Sequence, residues 1–289
     1  AASTRVRGVF TNTLPVDAYR GAGRPEASYL IERLVDRAAR ELGLAPDELR
    51  RRNLIARLPY RTAFGDTYDS GDFLGVMEAA QRAAEWDGFP ARRADSLARG
   101  KRRGIGLATY VERSGGASDT VKLAFEGEDT LTVLIGNQSN GQGHETMYTQ
   151  VVAARTQLDP TKIRIVQGDS DRTPAGFTGG SRATTVGAPA VDGAVQALIE
   201  RGRVLAARLF QADPGDVTYA EGGFVLAGGA QRIDLFALAR ALREQPSLAS
   251  GPDEQLELSH SHAAPGPTYP NGCHVCELEV DPQTGSIEI

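Results

Sequence analysis

Cysteine is nearly absent: the 289 residues hold two, beside two methionines, one tryptophan and four histidines. Two cysteines exclude a disulfide framework and any four-cysteine iron–sulfur or zinc site within the chain. They fall as Cys273-His-Val-Cys276, a bare C-x-x-C. A redox pair of that type belongs at a helix N-terminus. These two lie instead in a β-like run ending Glu277-Leu-Glu-Val280, where cysteine packs as a small hydrophobe. A basic surplus is missing as well. The chain has 32 Lys and Arg against 37 Asp and Glu, a formal charge of −5, so little is left to neutralise phosphates along a nucleic-acid strand. No apolar run approaches the roughly 20 residues of a membrane-spanning helix, and Ala1-Ala-Ser-Thr-Arg5 starts no secretory h-region. No nucleic-acid partner, no membrane span and a cytoplasmic location are expected.

What is plentiful is glycine, with 33 residues, and it gathers where helices begin. Gly136-Asn-Gln-Ser-Asn-Gly-Gln-Gly-His-Glu-Thr-Met147 follows a strand-like alternation of Leu131, Val133 and Ile135. It precedes Met147, Val151, Ala154 and Leu158 at helical spacing. Such a loop places free backbone N–H groups and the positive end of a helix dipole at one point, which is an anion site. Tyr19-Arg-Gly-Ala-Gly-Arg-Pro-Glu26 leads likewise into a helix near Pro25, and Phe177-Thr-Gly-Gly-Ser-Arg182 into one near Thr185. Three such starts point to one large polyanionic ligand. The side chains around them are neutral donors: Asn137, Gln138, Asn140, Gln142, Thr178 and Ser181, with Arg20, Arg24 and Arg182 for partial charge balance. A Walker A loop is excluded because no lysine follows Gly141-Gln-Gly143. A dinucleotide fingerprint fails because Thr146 replaces its third glycine and the order of elements is wrong.

The periodicities predict helices over 25–42, from Pro46, and from Asp69 (as N-cap) to Trp86. Arg50-Arg-Arg52 reads as a solvated helix end. Residues 57–69 read as loop. Residues 87–103 are polar and aperiodic, and the domain boundary is placed there, giving domains 1–98 and 99–289. Strands follow at 105–111, 121–125 and 130–136, then a helix over 144–158 and a strand at 162–167. Residues 168–184 form a long loop of functional character. The small residues that start the next helix (Gly187, Ala188, Ala190, Gly193, Ala194, Ala197) suit a buried helix beneath a cofactor. A hairpin near 227–230, a helix near 234–244 and strands near 255–262 and 273–280 complete the order. The class is α+β, with mixed sheets and packed helices. The turn Asp281-Pro-Gln-Thr-Gly285 opens a strand barely begun at Ile289, and the first residue is not Met. That is the pattern of an internal segment of a longer chain.

These motifs resemble a known family. Ala18-Tyr-Arg-Gly-Ala-Gly-Arg-Pro-Glu-Ala27, Gly141-Gln-Gly-His-Glu-Thr146 and Thr178-Gly-Gly-Ser-Arg182 are similar to the large, molybdopterin-binding subunits of the xanthine dehydrogenase/aldehyde oxidase family. The likeness is strongest to its bacterial branch, which includes carbon monoxide dehydrogenase large subunits. Thr67-Tyr-Asp-Ser-Gly-Asp-Phe73, Val166-Gln-Gly-Asp-Ser-Asp171 and Pro270-Asn-Gly-Cys-His274 extend it over essentially the whole chain. The resemblance implies that 1–98 is the C-terminal part of a first molybdopterin-binding domain and 99–289 the N-terminal part of a second. It implies an oxidoreductase that, at full length, hydroxylates an aldehyde or N-heterocycle with water as oxygen source.

The implied cofactor is molybdopterin cytosine dinucleotide with molybdenum, the metal held by the dithiolene and by no protein ligand. The implied partners are an iron–sulfur subunit with 2Fe-2S clusters, an FAD subunit and a small-molecule substrate, in a homodimer of the heterotrimer. By resemblance Gln142 and Arg20 are the catalytic residues. Gly21, Ala22, Gly141, Gln142, Gly143, His144, Thr146, Thr178, Gly179, Gly180, Ser181 and Arg182 would bind the cofactor.

Two departures qualify this. Carbon monoxide dehydrogenases carry a copper-binding cysteine after Tyr-Arg, where this chain has Gly21. The family's Gly-x-Gly-Glu base motif and its earlier Gly-Phe-Gly loop do not occur in the 289 residues. The segment alone is therefore expected to be apo and inactive; the alternative is a non-catalytic binding module that kept the fold.

Overall fold

The computed structural model describes every residue except Ala1, Ala2, Val16, Ala230, Pro252 and Asp253. In chain order it begins with α1 (Arg24–Leu42), α2 (Pro46–Asn53), β1 (Tyr60–Arg61), β2 (Thr67–Tyr68), α3 (Phe73–Ala83), α4 (Phe89–Ala98) and β3 (Arg102–Val111). Next come β4 (Ser114–Gly115), β5 (Ser118–Glu126), β6 (Thr130–Ile135), α5 (His144–Thr156), β7 (Ile163–Val166) and α6 (Ala188–Phe210). The remainder is β8 (Val217–Ala220), β9 (Gly223–Leu226), β10 (Arg232–Asp234), α7 (Leu235–Glu244), β11 (Leu258–Ala263), β12 (Pro267–Thr268), β13 (Asn271–Val280) and β14 (Ile287–Glu288). The α+β class is as expected. Two compact units result: Ala1–Arg113 with Tyr269–Ile289, and Ser114–Thr268.

In the first unit β3 and β13 pair antiparallel along their whole length, from Arg102↔Val280 to Val111↔Asn271. Cys273 and Cys276 lie on β13 as free thiols, the strand being as expected, but Cys276 is exposed and Cys273 only half-buried, so they are not packed as core hydrophobes. Three further expectations fail here, each for a polar reason. The aperiodic stretch 87–103 contains α4, which is fastened by ion pairs and not by an apolar stripe. Arg92 and Arg99 each sit 2.6 Å from Glu277 and Glu279 respectively, and Ser96 Oγ donates to Glu279 at 2.5 Å. Asp72, not Asp69, caps α3, its Oδ1 accepting from Gly75 N at 2.8 Å. Arg50 is buried, with Nε donating to Glu32 at 2.6 Å and Nη2 to Asp36 at 2.9 Å. The loop at 57–69 also carries the short β1–β2 hairpin.

In the second unit the main sheet runs β11-β5-β6-β7, antiparallel except for the β6–β7 pair. Parallel neighbours need a crossover, and the residues from 136 to 162, α5 included, provide it. Val121, Leu123, Leu131, Val133 and Ile135 bury one sheet face with Tyr148 and Val152 of α5 and Ala190, Val191, Ala194 and Leu198 of α6. The expected face of α5 is one residue out of register. His144, Tyr148, Val152 and Thr156 are buried, whereas Met147 and Val151 are half-buried. Hydrogen bonds in the interior decide that rotation, and a hydropathy pattern does not register them. The small residues of α6 accommodate rings of the fold itself. A Cβ on Gly193 would lie 2.4 Å from His260 Nε2, and one on Gly202 2.2 Å from Phe224 Cζ. Asp234 caps α7, accepting from Ala237 N at 2.8 Å.

Candidate functional site

Residues 136–143 bridge the end of β6 and the start of α5. Gly141 and Gly143 have φ of 100° and 78°, left-handed values that cost a residue with a Cβ roughly 1–2 kcal/mol. A Cβ on either would meet no atom within 4 Å, so the outer side of the loop is open. Gly143 offers no side-chain cap to α5. The first-turn N–H groups of His144, Glu145 and Thr146 are thus left to an external acceptor, at the positive end of a 13-residue helix. Gln142 is exposed. Its Oε1 accepts from Asn140 N at 2.5 Å, while its Nε2 reaches Gln138 O at 3.5 Å. The carboxamide is anchored by its oxygen and keeps donor capacity.

A second loop, residues 174–182, lies against the first. The two touch backbone to backbone: a Cβ on Gly136 would fall 2.4 Å from Pro174 O, and one on Gly176 2.8 Å from Gly136 Cα. Thr178 Oγ1 accepts from Gln138 N at 2.7 Å and donates to Gln138 O at 2.8 Å. Gly180 is exposed at φ 65° with open space around it, and Ser181 is exposed in the left-handed region at φ 54°. Thr178 and Gly179 are half-buried. Arg182 turns away from this open edge. It is 5% exposed, its Nη2 sits 3.0 Å from Asp119 Oδ1 and donates to Ser118 O, and its guanidinium lies 5.0 Å from the Phe177 ring centre.

A polar floor closes the site from below. Asn137, fully buried, donates to Asp119 Oδ2 at 3.2 Å and accepts from Tyr148 Oη at 2.9 Å and Gln167 Nε2 at 3.0 Å. His144 is 2% exposed, with Nδ1 3.1 Å from Gln167 Nε2 and Nε2 without a partner. Burial pushes its pKa down and keeps the imidazole neutral at pH 7. Burial also pushes Tyr148 up to about 12, and raises Asp119 against the opposing pull of Arg182.

The Tyr19–Arg24 turn belongs to the other unit. Gly21 has φ 100°, and a Cβ there would come 2.6 Å from Pro25 Cδ and Cγ, so only glycine fits. Arg20 and Ala22 are exposed, Ala22 at φ 49°, and α1 has no side-chain cap. A cavity of about 290 Å³ in the same unit has its charges matched internally: Arg24 with Glu112 at 3.2 Å and Arg113 with Asp66 at 3.7 Å.

The structure therefore assembles Gly141, Gln142, Gly143, Thr146, Thr178, Gly179, Gly180 and Ser181 along one open edge, with His144 and Arg182 beneath it. Sequence reading missed Asp119, Tyr148 and Gln167. A signal existed for the first: Asp119 continues the inward alternation of Val121 and Leu123, so an acid stands at a core position of β5.

Two sequence profiles, each described as a molybdopterin cofactor-binding domain, match residues 79–289 and residues 1–54. The chain belongs to the molybdopterin cofactor-binding domain family. It is similar to the gamma subunit of the 6-hydroxypseudooxynicotine dehydrogenase complex of Paenarthrobacter nicotinovorans, 32% identical over 98% of this chain and 37% of that one. The carbon monoxide dehydrogenase large chain of Hydrogenophaga pseudoflava is 31% identical over 98% of this chain and 38% of its own length. The crystal structure of quinoline 2-oxidoreductase from Pseudomonas putida 86 superposes with a TM-score of 0.82 at 27% identity, over 96% of this chain and 37% of that one. The chain thus spans well under half the length of these relatives. The family is the one its motifs resemble, the molybdopterin-binding subunits of the xanthine dehydrogenase/aldehyde oxidase group.

The open edge fits such a cofactor. Its donors are backbone N–H groups, a carboxamide and hydroxyls at a positive helix end, suited to a polar ring system bearing phosphate. Among the described residues no three His, Cys, Asp or Glu side chains converge, and no helix is long and apolar enough to cross a membrane.

Proposed function

We propose that the edge formed by Gly141–Thr146 and Thr178–Ser181 holds molybdopterin, in its cytosine dinucleotide form, within the large subunit of a molybdenum hydroxylase. The observation that carries this is the uncapped start of α5 beneath two glycines whose outer faces are open. In this reading the first-turn N–H groups of α5, with Thr146 and the Thr178–Ser181 segment, bind and orient the cofactor. Gln142 directs its free N–H toward the reacting centre, and Arg20 serves the substrate side. When bound, the group supplies two-electron oxidation in which the substrate carbon takes its new oxygen from water.

An N-heterocycle or aldehyde is the proposed substrate class. Quinoline, named for one relative, is an N-heterocycle. At Gly21, φ 100° and the Pro25 ring leave no room for a cysteine side chain, which argues against carbon monoxide oxidation by a copper site. Partner subunits carrying 2Fe-2S clusters and FAD, a homodimer of that assembly and a cytoplasmic location complete the proposal. Residues 1–98 and 99–289 are taken as parts of two successive molybdopterin-binding domains. The Gly-x-Gly-Glu base would lie outside these residues, and the segment alone would be inactive.

The test is molybdenum, pterin and nucleotide analysis of the purified full-length subunit. Molybdenum and pterin in equal amounts with released cytidine nucleotide is the expected result. A protein that folds and carries neither overturns the reading.

A further inference from the structure

Asn137, Asp119, Tyr148, Gln167 and Arg182 form one connected buried group, and its placement suggests a task beyond core filling. Asn137 belongs to the first loop, Arg182 ends the second, and Asp119 of β5 is bonded to both: to Asn137 Nδ2 at 3.2 Å and to Arg182 Nη2 at 3.0 Å. Asp119 and Arg182 are 2% and 5% exposed and Asn137 is fully buried, so water cannot substitute for any of these bonds. Gln167 Nε2 adds a third strut, donating to Asn137 O at 2.7 Å. Packing leaves no slack. A Cβ on Gly187 would lie 2.4 Å from Tyr148 Oη and 2.9 Å from Asn137 Nδ2.

We infer that Asn137 and Asp119 are positioning residues that fix the two glycine loops against each other before any ligand arrives, and that Arg182 is their strut and not an anion ligand. The physical argument is one of alternatives. Each loop has an exposed rim and left-handed residues, which alone would populate many conformations. The Thr178–Gln138 pair ties the rims, but Gln138 is itself exposed and competes with water. The buried group is the tie that solvent cannot replace, and a buried charge pair fixes geometry because neither partner can leave alone. Arg182 meets its charge requirement with Asp119, so ligand phosphates are left to the backbone N–H groups and neutral donors. Preformed loops spare a ligand the ordering cost on binding.

The inference concerns the site read above as a molybdopterin cradle, but its test does not depend on that reading. Amide exchange in the full-length subunit, produced without molybdopterin, reports on both loops: Gln138 N is bonded to Thr178 Oγ1, and Gly115 N is bonded to Gly180 O. In Asn137→Ala these two amides should exchange at least about tenfold faster, while Val133, in the middle of β6, keeps its wild-type rate. Tyr148→Phe removes the bond to Asn137 Oδ1 and a longer one to Ala183 O, and should give a smaller rise at the same two sites; it serves if the alanine variant does not fold. Unchanged exchange at Gln138 and Gly115 overturns the inference. So does an equal rise at Val133, which would make the group merely structural. In the full-length subunit the same variants should lower pterin and molybdenum content. A wild-type subunit without either would refute the cofactor reading while the exchange result still stood.

Discussion

In the first unit Arg92, Arg99, Lys101 and Arg103 converge on Glu277 and Glu279, at the border of a helix and a sheet. In the second unit a single arginine meets a single aspartate, both buried, beneath loops whose donors face outward. The first arrangement is closed: cations outnumber carboxylates and every carboxylate is matched. The second is left partly open. Among the described residues, Thr132 Oγ1, His144 Nε2, Gln167 Oε1, Arg182 Nε and Thr185 Oγ1 are buried side-chain atoms without partners, all in the second unit; Thr62 Oγ1 is the first unit's example. Buried polar groups are normally paired, and three of these atoms, on His144, Gln167 and Arg182, lie in or beside the group beneath the loops. The cluster on Glu277 and Glu279 fastens a helix, and the Asp119–Arg182 pair lies beneath the two loops.

Removing one carboxylate from each arrangement gives the largest expected contrast. Asp119→Ala strands Arg182 in the interior and should cost about 3–5 kcal/mol of the second unit's stability in urea unfolding. Glu279→Ala should cost less, because the Arg99 and Arg103 side chains are 45% and 25% exposed and can turn to water. A larger loss for Glu279→Ala would break the comparison. Next come glycines. Gly187→Ala drives a methyl into Tyr148 and should destabilise by roughly 1–3 kcal/mol. Gly143→Ala meets no atom and should cost about 1 kcal/mol through its left-handed backbone alone.

The smallest effect is a difference in acid sensitivity. The hydrogen bond from Arg92 holds Glu277 at about 2, against an ordinary 4.5. Its contribution is complete above pH 4.5 and is lost as pH falls toward 2. Burial holds His144 below its ordinary 6.5. Its unfolded form takes up the proton first, so its contribution is complete above pH 6.5 and erodes as pH falls below that. Amide exchange across an acid titration should therefore show the second unit weakening at higher pH than the first. The reverse order would contradict the assignment of a neutral buried imidazole.

The glycine loops were legible in the sequence because three of them stand at helix starts beside arginines or amides, and because Gly141-Gln-Gly143 follows a clear strand alternation. Most helices and strands were legible for the same reason, since hydropathy carries their period. What escaped was placed by hydrogen bonds. α4 holds on through Arg92, Ser96 and Arg99 and shows no apolar stripe. α5 is turned by one residue so that His144 and Tyr148 reach Gln167 and Asn137. Arg50 sits in an arginine triplet that looks solvated, yet Glu32 and Asp36 wait for it on α1. Of the small residues at the start of α6, Gly193 receives His260, and Gly187 just before the helix receives Tyr148 and Asn137. A long-range polar partner leaves no periodic trace.

The most direct test of the cradle is the molybdenum and pterin content of the full-length subunit carrying Gly143→Val, beside its urea unfolding. A branched side chain on the open side of the loop, at the uncapped start of α5, should empty the site of both while costing the fold only about 1–2 kcal/mol. A subunit that keeps its full molybdenum and pterin with that valine in place would contradict the account.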